Sequence, residues 1–246
     1  MNLFKKLGQG LRRSLNGPSH GAATDAGVFE EGFYRDITEA RAAHFKSLDL
    51  NVAGKSVIDI GCGIGHFSQM LSQMGADVTC VDGRPENIAR LLELYPGSNA
   101  CVVDAETDLL LTLGRFDVVF CYGLLYHLAD PLGFLRRAAS ISVDWIILET
   151  CIMDANIPAV RLVPEDDTNN SQALNAMGCR PSSAYVAFGL KSSGLQHVYV
   201  PRVLPAHPQF QYRAENDFSY LRNENLMRNI FVASRVPLKT QSLLPV

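Results

Sequence analysis

Four short stretches of this chain carry side chains whose types and spacing suit chemistry. The first, from Val57 to Phe67, runs from apolar residues into Asp59 and then into three glycines at alternate positions, Gly61, Gly63 and Gly65. Glycines so spaced let the chain turn tightly and let a ligand lie against bare backbone, and an acid at the end of the preceding strand can act on whatever binds there. The second is Asp82, twenty-one residues after Gly61 and followed by Gly83, Arg84 and Pro85. A carboxylate at that distance suits the two hydroxyls of a ribose, although an acid just before a proline also suits a helix start. The third is Asp104, with Ala105, Glu106 and Asp108 close behind it. The fourth runs from Cys121 and Tyr122 through Gly123 to Tyr126 and His127, and on to Asp130 and Pro131. His127 is the natural general base for a hydroxyl acceptor, because an unperturbed histidine titrates near pH 6.5. The same side chain can equally hydrogen-bond loop backbone or stack on a ligand.

The glycine spacing departs from the dinucleotide fingerprint G-x-G-x-x-G, since the position of its last glycine is taken by His66. A pyrophosphate also gains little from Asp59, whereas a cationic ligand gains directly.

Elements must bring these stretches together. Apolar runs at 56–60, 77–81, 100–103, 116–122 and 145–150 read as buried strands, separated by helical patterns at 65–73, 85–94 and 131–140 and a shorter one at 107–113. An amphipathic pattern over 30–50 precedes the first strand, and a helix at 182–191 with strands at 197–200 and 229–234 follows. Strands alternating with helices in this way imply a parallel sheet, with every chemistry-bearing stretch at a strand's carboxyl end.

The glycine loop and the acids at three successive strand ends resemble class I S-adenosylmethionine (SAM) methyltransferases over about residues 30–238. The resemblance implies an α/β fold whose seven-stranded, mostly parallel sheet has helices on both faces and whose seventh strand lies antiparallel between the fifth and sixth. It implies SAM as cofactor and S-adenosylhomocysteine as product, held by Asp59, Gly61, Cys62, Gly63, Gly65, Asp82, Gly83, Asp104, Ala105, Cys121 and Tyr122. Asp104 would take the adenine amino group and Ala105 would offer its backbone N–H to the ring, with Glu106 or Asp108 as replacements in a shifted register. His127 and Tyr126 are the catalytic candidates, while Glu149 suits either orienting an acceptor or capping a loop. The run from Leu125 to Pro131 resembles both small-molecule methyltransferases and the carboxymethyltransferases of the tRNA wobble uridine. We expect O-methylation of a small-molecule or carbohydrate-type acceptor; the alternatives are the tRNA-directed enzyme and a SAM-binding protein without turnover.

Composition narrows the choice. The chain has 246 residues, 47% hydrophobic and 19% charged, which suits one globular domain with additions. Lys5, Lys6, Arg12 and Arg13 stand without an acid in the first seventeen residues, so the rest carries −7 against −3 for the whole. That sign lacks the basic footprint of a nucleic-acid enzyme. Six cysteines form no C-x-x-C pair and six histidines no helical metal pair, so we expect a reducing cytoplasm and no metal. Residues 1–16 could lie as an amphipathic helix on the inner face of an anionic membrane, with a linker to residue 21. The domain then spans 22–238, with a helical lid at its N-terminus, acceptor-pocket insertions at 152–181 and 201–227, and a tail at 239–246.

Overall fold

A computed structural model describes residues 32–211 and 227–246. The proposed basic tail, its linker and most of the 201–227 segment lie outside the described residues. Helix α1 (Gly32–Ser47) leads into β1 (Ser56–Ile60), α2 (His66–Gln73), β2 (Asp77–Asp82), α3 (Pro85–Leu94), β3 (Asn99–Val102), β4 (Phe116–Tyr122), α4 (Pro131–Ile141) and β5 (Ser142–Ile152). A hairpin of β6 (Val160–Pro164) and β7 (Met177–Pro181) follows, then α5 (Ser183–Ser192), β8 (His197–Pro201), β9 (Met227–Ser234) and β10 (Leu243–Pro245). The stretch at 107–113 is a 3-10 helix, Asp108–Leu113, rather than an α-helix.

The main sheet runs β10-β8-β9-β5-β4-β1-β2-β3. Strands β1 to β5 pair in parallel, and β9 lies antiparallel between β5 and β8, as the family resemblance implies. The sheet has eight strands where seven were expected, because Leu243–Pro245, assigned from sequence to a tail, pairs antiparallel with β8 at the edge. The 152–181 insertion holds a separate two-stranded sheet, in which Val160 to Pro164 face Pro181 to Met177.

Period-two alternation along the central strands divides the core into two layers. Val118, Phe120 and Tyr122 of β4 pack with Ile37 and Phe45 of α1, Leu48 just after it, and Leu71 of α2. Val119 and Cys121 pack on the opposite layer with Phe134 and Leu135 of α4 and Val186 and Leu190 of α5. Helix α4 starts with a defined cap: the Asp130 carboxylate accepts from Gly133 N–H at 2.9 Å, with Pro131 in the first turn.

The glycine loop hangs from the neighbouring strand, since the N–H groups of Gly61 and Cys62 both donate to the Val81 carbonyl, at 2.7 and 3.0 Å. Gly65 turns into α2 with φ +90°, and a Cβ there would meet Leu91 Cγ at 2.8 Å and Cδ1 at 2.9 Å. Gly97 has a similar φ of +89° with nothing within 4 Å of a Cβ. This pair separates backbone strain from crowding. Gly97→Ala should lose about 1–2 kcal/mol, the cost of a left-handed alanine, and Gly65→Ala should lose about 1–3 kcal/mol more through overpacking. Urea denaturation of both variants checks this; equal midpoints would show that Leu91 moves aside freely.

Candidate active site

The carboxyl ends of β1 to β4, the start of α1 and the β6–β7 connection enclose one cleft of about 1050 Å3, including its open mouth. Its position is where open α/β sheets bind ligands. Of the residues predicted from sequence, Gly61, Cys62, Gly63, Asp82, Gly83, Asp104, Ala105, Tyr122, Tyr126 and His127 line it.

Asp82 ends β2 and is buried. One carboxylate oxygen accepts from Gly63 N–H at 2.9 Å, and the other accepts from Arg84 N–H at 2.9 Å and Asn87 Nδ2 at 3.1 Å. It therefore ties the glycine loop to the start of α3 while facing the cleft, and burial pushes its pKa up against those hydrogen bonds. Beyond β3, Asp104 accepts from Glu106 N–H at 2.9 Å. Glu106 is engaged elsewhere, accepting from Asp130 N–H at 2.7 Å and Asn175 Nδ2 at 3.4 Å. Asp104 is thus the better placed of the two for a ligand.

Asp59 and Cys121 are not among the residues that line the cleft. The Asp59 carboxylate accepts from Ser68 Oγ of α2 at 2.6 Å behind the glycine loop. Burial pushes its pKa up to about 7, with Ser68 opposing and Asp82 reinforcing the shift. Cys121 belongs to the layer under α4, because alternation along β4 sends it away from Tyr122. Gly65 turns the chain beyond the lining residues. The Cys62 thiol donates to the Gly63 carbonyl, and burial pushes it far above the range in which it would be a nucleophile.

His127 stands in a short 3-10 turn, Leu125–His127, at the cleft wall. Burial lowers its pKa against the opposing pull of Glu165, which bonds its Nδ1. Tyr126 has a different surrounding. Its hydroxyl accepts from Arg228 Nη2 at 3.2 Å, and its ring lies against two guanidiniums, with Arg228 at 4.9 Å and Arg180 at 5.3 Å from the centroid. Burial pushes that phenol well above its ordinary pKa, and the residue lines the cleft.

Glu149, at 0% exposure, accepts from Arg41 Nη1 and Arg228 Nη1, both at 2.9 Å. Burial pushes its carboxyl up, yet Arg228 and Arg41 outweigh that and hold it below the ordinary range. It neither caps a loop nor reaches the cleft. Instead it anchors Arg41, which does line the cleft beside Tyr34, Thr38 and Phe67. Arg41 and Glu165 were missed from sequence. An arginine among Ile37, Phe45 and Leu48 on an apolar helix face, like Arg228 in the buried run of β9, was a readable signal; Glu165 had none.

These residues fit a ligand with a ribose and amine at one end and an amino acid at the other. Asp82 and Asp104 would supply acceptors at the nucleoside end, and Arg41 would supply a guanidinium for a carboxylate. Tyr122 and Phe67 also line the cleft, their rings in edge-to-face contact at 5.2 Å, and the Arg41 guanidinium lies 5.4 Å from the Phe67 centroid. The Tyr122 hydroxyl is buried without a hydrogen-bond partner, an orphan that a ligand would satisfy. No group of three or more metal-ligating side chains occurs among the described residues.

Comparison with known proteins agrees with this geometry. Residues 30–180 match the family model described as "Methyltransferase domain". The ubiquinone biosynthesis O-methyltransferase of Xanthomonas euvesicatoria pv. vesicatoria (strain 85-10) is 38% identical over 101 residues, 39% of this chain and 42% of that protein. That of Stutzerimonas stutzeri (strain A1501) is 38% identical over 96 residues, 37% of this chain and 41% of that protein. The match thus spans about two fifths of these curated relatives. Among solved structures, the N-terminal domain of EvdMO1 with S-adenosylhomocysteine bound superposes with a TM-score of 0.63 at 22% identity, covering 95% of this chain and 98% of that one. Magnesium protoporphyrin IX methyltransferase from Synechocystis PCC 6803 with bound SAM gives 0.54 at 17%, covering 92% and 91%. With a family model over more than half its length and a sheet order that matches, the chain belongs to the class I S-adenosylmethionine-dependent methyltransferase family.

Proposed function

We propose that this protein transfers the methyl group of SAM to a hydroxyl of a small-molecule or carbohydrate-type acceptor. The observation that carries the reading is that His127 borders the same cleft as Asp82, Asp104 and Arg41. The names of the curated relatives, O-methyltransferases, support oxygen as the atom methylated. When bound, SAM supplies a methyl already activated on a sulfonium, so that alignment and exclusion of water account for most of the chain's task.

The chain's own residues divide that task. Asp82 and Asp104 hold the nucleoside end, and Arg41, fixed by Glu149, holds the amino-acid carboxylate. Tyr122, Phe67 and Tyr126 wall the reacting centre and keep water out. His127, at the wall of the same cleft, would take up the proton that the acceptor hydroxyl gives up during transfer. The acidic body and the lining from the β6–β7 connection, including Asn170, Ser171 and Gln172, favour a neutral polar acceptor over a nucleic acid.

Calorimetry with S-adenosylhomocysteine tests the cofactor half. Saturation at 100 times the dissociation constant should raise stability by about 2.7 kcal/mol, and Asp82→Ala should weaken binding by about tenfold or more. Absence of binding by the parent would overturn the reading. For the acceptor half, methyl transfer is assayed with a panel of phenols and monosaccharides alongside bulk tRNA.

The pH profile tests the base. His127 acts when neutral, and its folded pKa lies below the ordinary 6.5, so activity should hold through neutrality and fall only as pH drops through that lowered value. His127→Ala should cost about 10²- to 10⁴-fold, lose the acid limb, and regain rate as pH rises and the acceptor ionises unaided. An unchanged profile in His127→Ala would remove the base and leave alignment alone.

A further inference from the structure

The residue that completes the site comes from the inserted hairpin. Glu165 directly follows β6, and its N–H donates to the Ala176 carbonyl at 3.0 Å as the hairpin continues. Its side chain is 3% exposed and every bond it makes is directed inward. Oε2 takes the His127 Nδ1 contact and accepts from Ala173 N–H at 2.8 Å, while Oε1 accepts from Arg180 Nη1 at 3.3 Å. Gly178 on β7, the register partner of Val163, makes the approach possible: a Cβ there would sit 2.5 Å from Glu165 Oε1 and 2.6 Å from the Tyr126 carbonyl.

We propose that Glu165 is a positioning residue that locks His127 in the Nδ1–H tautomer, leaving the Nε2 lone pair as the proton acceptor. An ionised carboxylate can only accept, so the nitrogen it touches must carry the hydrogen. Two further donors, Ala173 N–H and the Arg180 guanidinium, hold Glu165 ionised and occupy two more of its lone pairs. Arg180 also sets the opposite limit. By sharing the charge of Glu165 it weakens the pull that would otherwise turn His127 into an imidazolium, which cannot take a proton. The anchoring extends to the turn itself, because the same Nη1 donates to the Tyr126 carbonyl at 3.3 Å and the Cys179 thiol reaches the Leu125 carbonyl at 3.3 Å.

The hairpin that carries Glu165 also reaches the cofactor end of the cleft. Arg84, at the start of α3, donates from Nη2 to the carbonyls of Asp167, Ala173 and Gln172, at 3.0, 3.3 and 3.4 Å. Leu174 Cδ2 stands 3.0 Å from where a Cβ on Gly83 would be. One connection therefore covers the nucleoside end and supplies the group that orients the base.

This inference rests on the reading of His127 as the base, but its first test needs no acceptor. Long-range 1H–15N correlation spectra of protein labelled with 15N-histidine and saturated with S-adenosylhomocysteine, recorded at pH 8, report the His127 tautomer directly. The expected result is Nδ1–H in the parent and in Glu165→Gln, whose carbonyl oxygen can still accept, and a mixture of tautomers in Glu165→Ala. An Nε2–H tautomer in the parent overturns the proposal whether or not either variant folds. With an acceptor from the panel above, Glu165→Ala should lose about 10- to 100-fold in rate, Glu165→Gln should retain most of it, and Glu165→Ala should cost nothing further in a His127→Ala background. An equal loss in that background shows that Glu165 only props the hairpin and also overturns it. Should the tautomer respond as expected while His127→Ala keeps full activity, Glu165 still orients the ring and the base role of His127 is what fails.

Discussion

The architecture of the cleft depends on one buried carboxylate. Glu149 carries a negative charge at the sheet's centre with no access to water, a state tolerable only because guanidiniums from two distant segments meet it. Arg41 arrives from the first described helix and Arg228 from the strand that inserts antiparallel beside β5. Removing the carboxylate alone would strand two buried cations, and removing either arginine would leave the anion half-compensated, so the three positions stand or fall together. The position of α1 over the cleft follows from this pairing, as does that of Tyr126, whose hydroxyl Arg228 also holds.

The same pairing polarises the cleft. Two guanidiniums against one carboxylate leave positive charge at the end lined by Arg41, while Asp82 and Asp104 leave negative charge at the other, with Asp59 behind the loop. A ligand that carries a carboxylate at one end and hydroxyl and amine donors at the other matches that gradient. Burial has pushed Asp59 up to about 7, so a cation nearby would favour its ionised form.

Catalysis of methyl transfer asks little covalent work of the protein and much geometric work. The rigid parts of that geometry come from the sheet, whose parallel strands deliver their carboxyl ends to one edge. In the function proposed above, acceptor selection falls to the β6–β7 hairpin, whose connection lines the cleft with Asn170, Ser171, Gln172 and Leu174. Loops on a rigid scaffold are where binding varies without loss of the fold. Tethering that loop to the orientation of His127 through Glu165 links the acceptor side to the proton-accepting side.

What the sequence determined by itself was local. Alternation of buried strands and amphipathic helices, a glycine turn, and acids at strand ends are patterns of one element and its neighbour, and Gly61, Gly63, Asp82, Asp104 and His127 line the cleft they were read to line. Strands β1 and β4 begin and end where the apolar runs do. Alternation fixes that neighbouring side chains of a strand face opposite ways, but which layer each meets is not local: Asp59 and Cys121 sit in the expected strands and meet Ser68 and the α4 layer. Pairings across 108, 79 and 38 positions, Arg41 with Glu149, Arg228 with Glu149 and Glu165 with His127, were decided only when the sheet closed. Burial then made them obligatory, because a charge removed from water must find its counter-charge in three dimensions, and no short-range pattern in the chain records where that partner is.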